Sequence, residues 1–87
     1  MGIFTVGQIN AYIKNMFEQD YLLHSVIVSG EVSNLKYHAS GHVYFTMKDE
    51  TGVLSAVMFK GNASKMTWRL SDGDKIEASG SVRTYDI

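Results

Sequence analysis

The sequence contains no cysteine, which excludes disulfide-stapled scaffolds and cysteine-based zinc ribbons and leaves no redox chemistry that demands export. Long apolar runs are absent as well. The longest is the four residues 56–59, far short of a membrane span or a signal-peptide core, so a soluble, cytoplasmic protein with no membrane partner is expected. Net charge is scarce too: −1 at pH 7, a figure that argues against a polyanionic partner unless the average hides a local patch. What is present is 45% hydrophobic and 20% charged residues in a chain of 87, which excludes disordered and fibrous classes and fits one small domain. A chain of this size buries only about 60 to 65% of its unfolded surface, so its core must be economical.

The charge is unevenly distributed. Residues 1–32 carry Lys14 against Glu18, Asp20 and Glu31, a balance of −2; residues 70–87 carry Lys75 and Arg83 against Asp72, Asp74, Glu77 and Asp86, also −2. Between them, residues 33–69 hold Lys36, Lys48, Lys60, Lys65 and Arg69 against Asp49 and Glu50, a balance of +3, with His38 and His42 in the same block. A basic middle between acidic ends points to an anionic ligand.

Thr5 followed by Gln8 forms a capping-box pattern, and Ile9, Ile13, Met16 and Phe17 then recur at helical spacing on one face. Residues 20–24 are expected to lead out of that helix. From Ser25 the period drops to two, the mark of strands. A first strand sets Val26, Val28, Gly30 and Val32 on the core face against Ile27, Ser29, Glu31 and Ser33. A polar loop with Lys36, His38 and the Ser40-Gly41 turn leads to a second strand, with Val43, Phe45 and Met47 inward and His42, Tyr44, Thr46 and Lys48 outward. Asp49 to Gly52 supply hairpin-turn chemistry. In the third strand Leu54, Ala56 and Met58 are assigned inward and Ser55, Val57 and Phe59 outward, although both faces are apolar enough to be buried. Residues 63–68 read as one or two helical turns, and a fourth strand sets Ile76, Ala78, Gly80 and Val82 against Lys75, Glu77, Ser79, Ser81, Arg83 and Tyr85.

Gly30 and Gly80 fall mid-strand on the core face, where glycine is costly unless the strand bends or meets another backbone, as at the corners of small barrels. Three strands, a short helix and a fourth strand is the order of an OB-fold, a five-stranded Greek-key barrel. The expected class is therefore mainly β: an amphipathic helical segment over residues 1–24, packing on the barrel, and an OB barrel over residues 25–87 with strands one to four and the fifth lacking.

The run SGEVSNLKYHASGHVYFTMKDE, then VLSAVMFKGNASKM, then DGDKIEASGSV, resembles the N-terminal OB domain of the exodeoxyribonuclease VII large subunit. The resemblance covers the chain from about Thr5 to its end. It implies single-stranded DNA as the partner, a nuclease centre in a downstream domain, no catalytic residue in this segment, and assembly with the small subunit through the rest of the large subunit. The residues support a binding role on their own terms. Single strands are held by Lys and Arg along the phosphates and by aromatic faces against the bases. In OB-folds the ligand lies across strands two and three, framed by the loops between strands one and two and between strands four and five. The alternation assigns Lys36 and His38 to the first of these loops, His42, Tyr44, Thr46 and Lys48 to the outer face of strand two, Phe59 and Lys60 to the end of strand three, and Arg83 and Tyr85 to the outer face of strand four.

Plainer readings stand beside these. Tyr44 and Phe59 could be hydrophobic area beneath a helix, Lys48 and Lys60 solvated strand ends, and Trp68, next to Arg69, is expected to plug the bottom of the barrel. His38 and His42 have the four-residue spacing of a helical metal pair but lie either side of a turn, and the sequence places no third ligand, so neither a metal nor a cofactor is expected. Asp49-Glu50 and Asp72/Asp74 lie in turn sequences that need carboxylates for chain reversal. Two other functions fit the same fold: a protein-interaction module, and an anticodon-binding OB module of a tRNA ligase. An OB barrel without strand five exposes edges on strands three and four, so a homodimer closed by strand pairing is expected.

Overall fold

The computed structural model describes residues 2–84. They form α1 (Val6–Gln19), α2 (Tyr21–His24), β1 (Val26–Tyr37), β2 (Val43–Lys48), β3 (Val53–Met58), α3 (Lys60–Ala63) and β4 (Lys75–Gly80). The strand order is β3-β2-β1-β4, with β1 antiparallel to β2 and β2 antiparallel to β3. This is the element order and pairing of an OB-fold with four strands among the described residues, as the periodicity indicates. The chain divides into two compact units, residues 29–77 and residues 1–28 with 78–87.

In the second of these, Thr5 caps α1 as the sequence predicts: its hydroxyl accepts from Gln8 N–H at 3.1 Å, and Gln8 Oε1 accepts from Thr5 N–H at 2.9 Å. The apolar stripe of Ile9, Ile13 and Met16 is exposed. Residues 21–24 form a second short helix rather than a plain exit, because Asp20 Oδ1 accepts from Leu22 N–H at 2.9 Å and restarts the turn. After β4, Val82 N–H donates to Leu23 C=O at 2.7 Å. β4 therefore stops at Gly80, and Arg83 lies beyond the strand rather than on its outer face. A Cβ at Gly80 would meet no atom within 4 Å, so the close approach expected there is not found.

In the unit of residues 29–77 the core is Val32, Val43, Phe45, Met47 and Leu70. Alternation on β2 is read correctly by the sequence, and the register Val43↔Met58, Phe45↔Ala56, Met47↔Leu54 puts the predicted inward residues of β3 on the same face. Gly30 does serve a close approach, since a Cβ there would lie 3.1 Å from the carbonyl oxygen of Lys48.

Three details differ from the sequence expectation. First, β1 continues through Lys36 to Tyr37, with a bulge: Ser33 pairs with Thr46, but Lys36 pairs with Tyr44. Asn34 takes the left-handed conformation (φ 51°), which asparagine tolerates better than most residues. Asp72 Oδ1 accepts from Leu35 N–H at 3.0 Å, satisfying a donor that the bulge takes out of the ladder. The turn carrying Asp72 is itself tied to β1, with Gly73 N–H on Val32 C=O at 2.7 Å and Val32 N–H on Asp74 C=O at 2.8 Å.

Second, α3 begins at Lys60, three residues before the predicted helical turns, with Asn62 and Ala63 N–H both donating to Phe59 C=O at 2.9 Å. Third, Trp68 does not plug the core; it is 55% exposed, and Leu70 is buried instead. Tyr37, opposite Val43 on the core side, donates its hydroxyl to Leu70 C=O at 2.6 Å and so fixes the backbone at Leu70 against the sheet.

Candidate nucleic-acid interface

The bulge decides the chemistry of the outer face. Were the Ser33–Thr46 register continued without a bulge, Leu35 would stand opposite Tyr44; with the bulge, Lys36 does, and Tyr37 stands opposite Val43 on the core side. Three cross-strand rows result on β1, β2 and β3: Lys36, Tyr44 and Val57; Ser33, Thr46 and Ser55; Glu31, Lys48 and Val53. Tyr44 is 41% exposed and offers a ring face between a lysine stem and a valine. The middle row is three small hydroxyl side chains, low enough for a ligand to lie close to the sheet and able to hydrogen-bond it.

Two imidazoles complete the aromatic group. His38 meets Tyr44 edge-on, with ring centroids 6.0 Å apart, and His42 meets Phe59 edge-on at 5.5 Å. His38 Nδ1 accepts from Ser40 N–H at 3.1 Å, which holds the loop between β1 and β2 in a tight turn. His42 Nδ1 accepts from Lys60 N–H at 2.9 Å, tying that loop to the start of α3. Gly41 makes the closure possible: its φ is +96°, and a Cβ there would lie 3.0 Å from the Lys60 stem. Phe59 is exposed.

The rows differ in charge. Lys36 has no carboxylate partner among the described residues, whereas Lys48 Nζ lies 3.5 Å from Glu31 Oε2. That end of the face adjoins a cleft of about 830 Å³ whose charged lining is Glu31, Asp49, Glu50 and Glu77 against Lys48 and Lys75. Asp49 closes the β2–β3 turn by accepting from the N–H groups of Thr51 (2.8 Å) and Gly52 (2.9 Å) and from the Thr51 hydroxyl, and these bonds hold its carboxyl below the usual aspartate range. The carboxylates of the 72–74 turn are likewise committed to backbone, Asp72 to Leu35 and Asp74 to Ser71 N–H at 2.8 Å.

Of the predicted site residues, Lys36, His38, His42, Tyr44, Thr46, Lys48, Phe59 and Lys60 all belong to the unit of residues 29–77 and to this face or its rim. Lys36 belongs to a strand and not to the loop. Arg83 belongs to the other unit, with its Nε donating to Ser81 Oγ at 3.2 Å, and Tyr85 lies outside the described residues. Sequence reasoning placed Ser33, Ser55 and Val57 on the outward side of their strands but did not count them among the site residues, and it passed over Glu31 as the partner of Lys48.

Exposed rings and small hydroxyls on the outer face of β1 to β3, with Lys36 and Lys60 lacking carboxylate partners among the described residues, are the features of an oligonucleotide-binding type of module. Comparison with known proteins agrees. Residues 4–87 match the model of the OB-fold nucleic acid binding domain, and the chain belongs to that family. It is 48% identical over 97% of its length to the exodeoxyribonuclease 7 large subunit of Lachnoclostridium phytofermentans. It is 43% identical over 93% of its length to the protein of that name from Clostridium perfringens, and 46% over 94% to that from Staphylococcus saprophyticus. These matches cover 21%, 20% and 18% of the respective relatives, so the chain spans about a fifth of their length. Among the described residues no helix is long and apolar enough to cross a membrane.

Proposed function

We propose that this chain is the single-stranded-DNA-binding module of an exodeoxyribonuclease VII large subunit, and that it presents a strand to a nuclease centre elsewhere in the whole protein. The observation that carries this reading is the row Lys36, Tyr44, Val57, in which an exposed ring lies beside an unpaired cation on the outer face of the sheet. Bases stack on Tyr44 and Phe59. Phosphates lie along Lys36 and Lys60, and Ser33, Thr46 and Ser55 hydrogen-bond the sugar-phosphate edge. Stacking of this kind is worth about 1–3 kcal/mol per base and tolerates any sequence, which suits a module that must accept whatever strand is to be degraded. The choice of DNA follows the names of the relatives; an exposed ring beside a lysine supports a single strand, whose unpaired bases can stack on it.

The hydrolytic step, and assembly with a small subunit, belong to the remainder of such a protein. The outer members of the sheet, β3 and β4, offer edge hydrogen-bonding groups through which two copies of the chain pair. Fluorescence polarisation with labelled oligonucleotides tests the binding reading. The expected result is binding to single strands that weakens steeply with salt; absence of salt-sensitive binding at high micromolar protein overturns it. Salt-insensitive capture of a protein partner by the same face would favour a docking role instead.

A further inference from the structure

On the core side of β1, β2 and β3, within residues 29–77, lies an open groove of about 580 Å³ lined by Tyr37, Val43, Met58, Lys60, Trp68 and Arg69, among others. Its charged and aromatic members are arranged for a ligand. Arg69 sits over the ring of Tyr37 with its guanidinium carbon 3.9 Å from the centroid, and Tyr37 is fixed in turn by its hydroxyl bond to Leu70. A guanidinium held over a ring keeps its in-plane N–H groups available to an anion at its edge. Neither Arg69 nor Lys60 is paired with a carboxylate among the described residues. Trp68, 55% exposed, leaves most of a large indole surface in water although a buried role is usual for such a residue. Lys60 relates the groove to the rim of the outer face: its side chain lines the groove, while its N–H donates to His42 Nδ1, whose ring meets Phe59.

We propose that this groove is a second base site for the bound strand, in which one nucleobase stacks on Trp68 while Lys60 and Arg69 hold the phosphates on either side of it. The proposal rests on the nucleic-acid-binding reading above and extends the path of the strand from Tyr44 and Phe59, past Lys60, off the sheet and around the start of α3. An apolar floor with two unpaired cations matches the alternation of base and phosphate, which an uncharged apolar segment does not.

Trp68 is the only tryptophan of the chain, so its emission reports on this groove alone. Titration with an unlabelled oligothymidylate of about twelve nucleotides is expected to quench that emission with the same midpoint as polarisation-detected binding. Trp68→Ala is expected to weaken binding about tenfold, Trp68→Phe to retain most of it, and Arg69→Ala to reduce the slope of log affinity against log salt by about 0.7. Circular dichroism establishes that each variant is folded, and the Phe and Arg69 variants carry the test if Trp68→Ala is not. Binding by polarisation with unchanged Trp68 emission and unchanged affinity in all three variants overturns the groove and leaves the sheet face standing. Loss of all oligonucleotide binding in the parent chain removes both. A shift of Trp68 emission with protein concentration alone, without DNA, assigns the groove to a second copy of the chain and also overturns the proposal.

Discussion

The two ends of the outer face each carry a lysine on neighbouring strands, yet they are different surfaces. At one end Lys36 stands beside Tyr44 with two imidazoles and Lys60 nearby; at the other Lys48 lies 3.5 Å from Glu31, above a cleft with a carboxylate majority. A positive charge count over residues 33–69 treats these lysines alike. Register separates them: Glu31 and Lys48 are cross-strand partners, so one cation is neutralised where it stands, while the bulge at Asn34 brings the other, unpaired, next to the stacking ring. The face is thus electrically polar, with cations lacking a carboxylate partner among the described residues at the Lys36 end and a carboxylate majority at the Glu31 end; on the proposed function, a strand is expected to lie at the first end rather than the second.

Replacing Asn34 by valine breaks the comparison most severely. A β-branched residue resists the left-handed conformation that the bulge needs; a ladder continued from Ser33–Thr46 without the bulge puts Leu35 opposite Tyr44, turns Lys36 away and leaves Asp72 without its donor, so both stability and oligonucleotide affinity are expected to fall, the affinity by more than any single truncation; chemical denaturation and polarisation read the two effects. Tyr44→Ala should weaken binding about tenfold with little change in stability, since the ring is substantially exposed. Glu31→Gln, which releases Lys48, should tighten binding by about twofold or less, the modest scale of an exposed ion pair, and a loss of affinity there would show that Glu31 serves the ligand.

The smallest effect belongs to Asp49. Its carboxyl is held below the ordinary value of about 3.9 by N–H donors of its turn, so its contribution to stability is complete above that value and disappears as pH falls through its own lower one. Asp49→Ala should lower Tm slightly at neutral pH, and the gap from the parent chain should close in acid; a gap constant with pH would assign the loss to something other than the charged acceptor.

Features that depend on near neighbours were legible in the sequence. The Thr5–Gln8 box, the alternation of Val43, Phe45 and Met47, and the carboxylate turn at Asp49 each follow from residues within a few positions of one another. What escaped depends on distant groups. The bulge at Asn34 is stabilised by Asp72, the backbone at the buried Leu70 is held by a hydroxyl on Tyr37, and the Glu31–Lys48 pair exists only once the register of β1 on β2 is set. Asparagine at position 34, before a lysine-tyrosine pair, was the one local sign of a left-handed residue in the strand. α3 starts three residues before the expected helical turns because the N–H groups of Asn62 and Ala63 both donate to Phe59 C=O, a closure the sequence from Ala63 onward does not show.

Salt titration of oligonucleotide affinity in Lys36→Ala and Lys48→Ala, side by side with the parent chain, tests the central claim most directly. A free lysine on the strand's path contributes one phosphate contact, so Lys36→Ala is expected to lower the slope of log affinity against log salt by about 0.7 and to weaken binding at low salt, while Lys48→Ala leaves both nearly unchanged. Equal losses in the two variants, or a parent chain whose affinity does not respond to salt, would contradict it.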